Sequence, residues 1–299
     1  MKASVIIPTY EGAHRLAAIL ESLERQTQRD FEIIIVIDGS TDGSAEVVRK
    51  QKLTLGFRII EQSNKGRGGA RNAGARLANG SLLVFYDDDM LPEPDSLEKH
   101  TAFHDQHPNA ILVGNVPQKI SSFTNDFNQY RSQLSLAWVK PFPDIATPMT
   151  KDTLFMTAAN CSVEKNVFLN LQGFAEKLKD AEDKEFGIRA FKKNIPVFFD
   201  KQNIAWHDEA LTCRTYIRRL RQYAAANKIV RTLHPEFFPA SQPMTPGTKR
   251  WVYRRLASSQ WVDAVDHGTL LPIVPRKIRY RLYDAITFAL SEVYPDVTI

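Results

Sequence analysis

The chain is poor in cysteine. Cys161 and Cys213 are the only two in 299 residues, too few and too far apart for a disulfide scaffold or a thiolate metal site, and they suit a reduced, cytoplasmic setting. Long apolar runs are missing too: nothing approaches the roughly 18 residues that a membrane-spanning helix needs. The opening MKASVIIPTY already reads as a strand and a turn, which leaves no room for a signal peptide. No G-x-G-x-x-G follows that first strand, which argues against a dinucleotide-binding dehydrogenase. Internal repeats and low-complexity tracts are absent. The net charge is +5, yet residues 214–299 hold 14 Lys/Arg against 6 Asp/Glu, so the rest of the chain is slightly acidic. Such a basic tail suits an anionic partner, a membrane face rather than nucleic acid, or simply a solvated helical surface.

With 43% hydrophobic residues the chain can bury a full core. Over residues 1–110, strand and helix patterns alternate. Ser4–Pro8, Phe31–Ile37, Phe57–Ile60 and Leu82–Tyr86 are short apolar runs rich in β-branched and aromatic residues. Helical spacing appears over 15–26, 44–51 and 69–78. Alternation of this kind predicts right-handed βαβ units and a mostly parallel sheet with helices on both faces. From 111 the pattern loosens: strands are expected at 111–113 and 197–199, and helices at 163–171 and 183–193. The tail reads as helices over 215–232, 248–266 and 276–293, separated by Pro235, Pro239, Pro243 and Pro246, with Pro272 and Pro275 before the third. The expected organisation is a domain over 1–213, with halves 1–110 and 111–213, followed by a helical extension over 214–299.

Asp87-Asp88-Asp89 close the Leu82–Tyr86 run. Three adjacent carboxylates repel one another unless a cation neutralises them. Hard oxygen donors at a strand end suit Mg²⁺ or Mn²⁺ carrying substrate phosphates. Three further polar clusters also lie just past strand ends: Pro8-Thr9-Tyr10-Glu11, Asp38 to Ser44 (DGSTDGS) and Asn64 to Gly74 (NKGRGGARNAG). A parallel sheet gathers all four clusters in the crevice at its carboxyl edge. Downstream stands a second acid pair, Glu182-Asp183.

In this order the motifs resemble family 2 glycosyltransferases over about residues 3–210, with Gly173-Phe174, Arg189 and Trp206-His207 completing the series. The resemblance implies a GT-A (Rossmann-like) α/β fold, an inverting transfer from a nucleotide sugar, UDP-linked by family frequency, and a glycan or lipid-linked acceptor in polysaccharide biosynthesis. It further implies that Pro8, Thr9, Tyr10 and Glu11 line the nucleoside pocket, Tyr10 offering a flat face to the base. Asp38 would accept a hydrogen bond from the base, or cap the helix at Ser44. Lys65 and Arg71 would bring positive charge to the diphosphate, and Asp87 would face the ribose and diphosphate. Asp89 would hold the metal together with Asp87 and His207, while Asp88 supports them from the other face. Asn160 would bind donor sugar or acceptor. Asp183 would be the general base, with Glu182 the alternative if the helix starts one residue differently. Two rivals remain at this level: a sugar-nucleotidyltransferase, which should carry a Gly-rich basic loop after strand one, and a catalytically silent nucleotide- or glycan-binding subunit.

Overall fold

The central strands of this protein, Ala3–Thr9, Phe31–Asp38 and Leu82–Tyr86, are apolar runs buried on both faces. The computed structural model describes residues 1–51, 54–119, 125–238, 247–270 and 273–299; the expected breakers Pro239, Pro243, Pro246 and Pro272 lie outside them. Two units emerge. One comprises Met1–Gln118 with Leu136–Asp208, and the other Lys119–Ser135 with Glu209–Ile299. Among the described residues no helix is long and apolar enough to cross a membrane.

The first unit is an α/β unit built on one sheet. Its first half runs β1 (Ala3–Thr9), α1 (Ala13–Glu24), β2 (Phe31–Asp38), α2 (Ser44–Arg49), β3 (Phe57–Gln62), α3 (Gly66–Leu77) and β4 (Leu82–Tyr86). Next come β5 (Met90–Pro92), α4 (Ser96–Gln106), β6 (Ile111–Asn115) and α5 (Asp126–Val139), whose first ten residues group with the second unit. The series ends with β7 (Thr147–Pro148), β8 (Asn160–Glu164), α6 (Lys165–Asn170), α7 (Glu182–Lys192) and β9 (Val197–His207). The strand order is β3-β2-β1-β4-β8-β6-β9-β5, with β7 beside β9. Pairs β1–β2, β2–β3, β1–β4 and β6–β9 are parallel.

Alternate residues of the central strands enter opposite cores. Ile6, Ile34, Val36, Leu83 and Phe85 face one side, and Val5, Ile7, Ile33, Ile35, Val84 and Tyr86 the other. Each such side chain stabilises the fold by about 1.5–3 kcal/mol when fully buried. Small residues let α3 lie flat on the sheet: a Cβ on Gly74 would stand only 2.6 Å from the Ile6 Cγ2.

One expectation is corrected. Residues 163–171 were expected to be a helix, but Asn160–Glu164 form β8, antiparallel between β4 and β6, and the helix covers only Lys165–Asn170. The polar letters of β8 hide its burial because their partners are also inside. Ser162 Oγ lies 2.8 Å from His100 Nδ1 and 2.9 Å from His104 Nε2, and Asn160 Oδ1 lies 2.9 Å from His100 Nε2. Burial pushes His100 down to about 3 and His104 to about 4, so both serve as neutral hydrogen-bonding groups.

The second unit is helical: the first part of α5, then α8 (Cys213–Leu233), α9 (Gly247–Leu256), α10 (Ser259–Asp266) and α11 (Arg276–Phe288), which ends in a π turn at Ala289–Val293. The helix expected over 248–266 is broken at Ala257–Ser258, where Ser258 turns extended (φ −144°, ψ 154°) ahead of α10. Phe127, Tyr130, Ile217, Val262, Tyr283, Ile286 and Leu290 form its core. Within that unit Arg279 grips Asp126 with two hydrogen bonds of 2.6 Å, and Tyr283 donates to the same carboxylate at 2.9 Å.

Candidate active site

The acid triplet divides by burial. Asp87 and Asp89 are partly exposed, whereas Asp88, pointing the other way as successive residues of an extended segment do, is buried. Asp88 Oδ2 accepts a 2.6 Å bond from Thr9 Oγ1 and a 3.1 Å charged bond from Arg15 Nη2 on α1. Burial pushes its pKa up to about 6, opposed by Arg15 and Thr9. Gly12 completes this clasp, because a Cβ there would fall 2.1 Å from Thr9 Oγ1 and 2.3 Å from Asp88 Oδ2. Thr9, expected to line the nucleoside pocket, and Asp88, expected to support its neighbours, thus hold the first turn to the triplet with their polar atoms. Arg15 went unnoticed in the sequence; an arginine in the first turn of a helix that opens toward an acidic loop was the available signal.

Pro8 is buried in β1, opposite Val36, so its ring belongs to the sheet. Tyr10 is 54% exposed at the strand's end. Glu11 adopts φ +50°, and its carboxylate accepts from the Thr41 N–H at 2.9 Å and hydroxyl at 3.1 Å, tying the first turn to the second. Asp38 is buried and accepts from Gln62 Nε2 (2.7 Å) and from the N–H groups of Lys65 (2.9 Å) and Gly66 (2.8 Å). It therefore secures the start of α3, not the helix at Ser44. That helix is served by Asp42, which accepts from the Ser44 N–H at 3.1 Å and the Ala13 N–H at 2.8 Å. Lys65 is exposed at the N-terminal end of α3, beside Gly66, whose φ of +77° only glycine adopts at little cost.

Arg71 is the main departure from expectation. Its guanidinium was expected to face a diphosphate; instead it is buried between Asp87 and Glu182, pairing with both, the latter at 2.5 Å. The two carboxylates outweigh burial and raise its already high pKa, so it is charged at every accessible pH. This arginine links the strand-end acids to α7.

At α7 the two acids differ. Glu182 is the first helical residue, buried and held by Arg71. Asp183 is half-buried and accepts from the N–H groups of Lys184 (2.7 Å) and Ala158 (3.3 Å). Burial first, and then the neighbouring Glu182 charge, push Asp183 up to about 6.

His207 reaches the triplet because β9 runs eleven residues, well past the expected 197–199, and its end pairs antiparallel with β5 so that His207 sits opposite Met90. Its Nε2 lies 3.0 Å from Asp89 Oδ2, and Gln118 Nε2 lies 2.6 Å from its Nδ1. Nothing in the sequence pointed to Gln118. A carboxylate oxygen and an imidazole nitrogen this close, both largely buried, are a donor set that Mn²⁺ or Mg²⁺ accepts.

Asn160 is a correction. It is fully buried, and its amide donates to the Asn115 and Asn203 carbonyls at 3.2 and 3.0 Å, so it has no surface to offer a sugar.

An open, mainly parallel sheet with acids closing its fourth strand and a second acid pair opening a later helix defines the GT-A class of glycosyltransferase fold. Residues 4–171, more than half of the chain, match the family model described as Glycosyl transferase family 2, and the protein belongs to that family. Among curated proteins it is similar to the validoxylamine A glucosyltransferase of Streptomyces hygroscopicus subsp. jinggangensis. The two are 29% identical over 263 residues, 79% of this chain but 62% of that protein, so the chain spans less than two thirds of this relative's length. Among solved structures it resembles the mannosyltransferase PcManGT from Pyrobaculum calidifontis in complex with GDP-Man and Mn²⁺. There the TM-score is 0.63 and the identity 17%, covering 99% of this chain and 88% of that one. It also resembles Staphylococcus aureus TarS in complex with UDP, with TM-score 0.58 and 20% identity over 99% of this chain and 91% of that one. At such identities these two likenesses establish the fold.

Proposed function

We propose that the protein transfers a sugar from a nucleotide-sugar donor, UDP-linked, to a hydroxyl of a glycan or lipid-linked acceptor by a single displacement with inversion. The observation that carries this reading is Arg71, which ties Asp87 at the strand end to Glu182 at the start of α7. It fixes a donor-side carboxylate and a base-bearing turn in one rigid frame.

In this reading the exposed Tyr10 ring covers the base, and Asp38 acts from below by ordering the Lys65–Gly66 turn. The donor's diphosphate meets the exposed Lys65 and the N-terminal end of α3, where peptide N–H groups favour an anion. Asp89 and His207 would hold a divalent cation, Mg²⁺ or Mn²⁺, with Asp87 beside them; when bound, it supplies charge neutralisation to the departing diphosphate. Asp183 takes the proton of the acceptor hydroxyl as that oxygen attacks the anomeric carbon, and the nucleoside diphosphate leaves with the bonding pair. Glu182 does not serve as base here, because Arg71 holds its carboxylate. The solved GDP-Man–Mn²⁺ and UDP complexes of proteins with this fold support a donor of this kind.

The test is a panel of UDP- and GDP-sugars incubated with the protein and Mn²⁺, scored by release of the nucleoside diphosphate. At least one donor should give release that depends on both protein and ion. Saturable donor binding with no release under any condition would instead leave a silent binding subunit, and contradict the proposal.

A further inference from the structure

The structure sorts the basic residues of the helical unit into two sets. Arg214 pairs with Asp263 at 2.5 Å, Arg219 with Glu209, and Arg279 with Asp126, while Arg221 donates to the carbonyls of Leu290 (2.8 Å) and Val297 (2.9 Å). These arginines hold the unit together. The second set is exposed; on α9 and α11 it comprises Arg250, Arg254, Arg255, Arg276, Lys277 and Arg281.

The exposed cations are interleaved with bulky apolar side chains that the unit leaves uncovered. Trp251 is 62% exposed, with the Arg255 guanidinium 5.3 Å above its ring. Ile278 is 59% exposed, and Val252 and Phe288 are exposed beside them. On α11, Lys277, Arg281 and Phe288 recur at helical spacing on one face. The Phe288 ring packs on Tyr253 of α9 at 5.2 Å, and Tyr294 Oη donates to the Arg250 carbonyl at 3.2 Å, so α9 is joined to α11 and to the turn that follows it. Asp284, on the same α11 strip, is bonded by Tyr130 within the unit.

We infer that this α9–α11 face docks on an anionic lipid surface. Trp, Ile and Phe side chains enter the headgroup boundary, and the long cations reach the lipid phosphates while their stems cover apolar surface. A soluble polyanion would use the cations but gain nothing from the exposed Trp251 and Ile278. That apolar component is what favours a bilayer, and the inference stands apart from the proposed transfer chemistry.

The experiment is co-sedimentation of the full chain with phosphatidylcholine vesicles, with and without phosphatidylglycerol. Wild-type protein should pellet with the anionic vesicles and remain in solution with the neutral ones. Removing three cations in Arg250→Gln/Arg254→Gln/Arg255→Gln should weaken binding on the order of 100-fold, at roughly fivefold per charge. Trp251→Ala should weaken it at unchanged net charge. Lys277→Gln/Arg281→Gln offers the same readout on the other helix should the α9 variant fail to fold. Equal pelleting with both vesicle types, pelleting with neither, or binding to inorganic polyphosphate without vesicle binding would each overturn the inference.

Discussion

Asp183→Asn will bind UDP with Mn²⁺ as tightly as the wild-type chain and turn over on the order of 10³-fold more slowly. The substitution removes a proton acceptor while keeping the side chain's size, and general bases typically contribute 10²–10⁴-fold. Only Asp183 of the pair can show this pattern, since Glu182 is buried in its ion pair with Arg71. The pH profile supplies an independent reading. Burial and the Glu182 charge push Asp183 up to about 6, so its base form is lost as pH falls through 6, not through the ordinary carboxylate range near 4. Wild-type kcat/KM should therefore fall about tenfold per pH unit below that point, and the variant should lack this limb. Near-normal turnover of the variant, or an unchanged acid limb, would remove Asp183 from the mechanism.

Arg71→Met has the second large effect, and it acts on stability as well as activity. The guanidinium is the shared partner of two carboxylates, and its burial means water does not replace it. Deleting one member of a buried ion pair costs about 3–5 kcal/mol, because the remaining charge is left unpaired in a poorly solvated site. In an α/β unit of this size that corresponds to a fall in Tm on the order of 10 °C. Calorimetry should show it, with Arg71→Lys intermediate because an ammonium cannot fork to both acids. An unchanged Tm would mean that Asp87 and Glu182 do not depend on each other through this residue.

How much of this was visible in the letters differs from place to place. Strands β1, β2 and β4 announce themselves because both faces of each are buried, which turns them into nearly unbroken apolar runs. Strand β8 is silent for the opposite reason: Asn160 and Ser162 are polar yet fully buried, satisfied by His100 and His104 from a helix sixty residues earlier. Local sequence cannot report a partner that distant. The acid triplet, Asp183 and His207 were nameable from motif order, and the geometry then separated their environments. Asp88 turned into the clasp with Thr9 and Arg15, and Asn160 into the core. Arg71 shows the limit most clearly. An arginine in a glycine-rich stretch reads as a phosphate ligand, and only the approach of α7 to the strand end reveals that two carboxylates occupy it.

The most direct measurement is titration calorimetry of UDP into the protein with Mn²⁺ and again with the ion chelated, repeated for Asp89→Asn. An ion gripped by Asp89 and His207 against the nucleotide's diphosphate predicts that chelation and the substitution each weaken UDP binding by about 100-fold, and that together they do no more than either alone. Equal UDP affinity with and without the ion, or an Asp89→Asn variant that keeps full ion-dependent affinity, would contradict it.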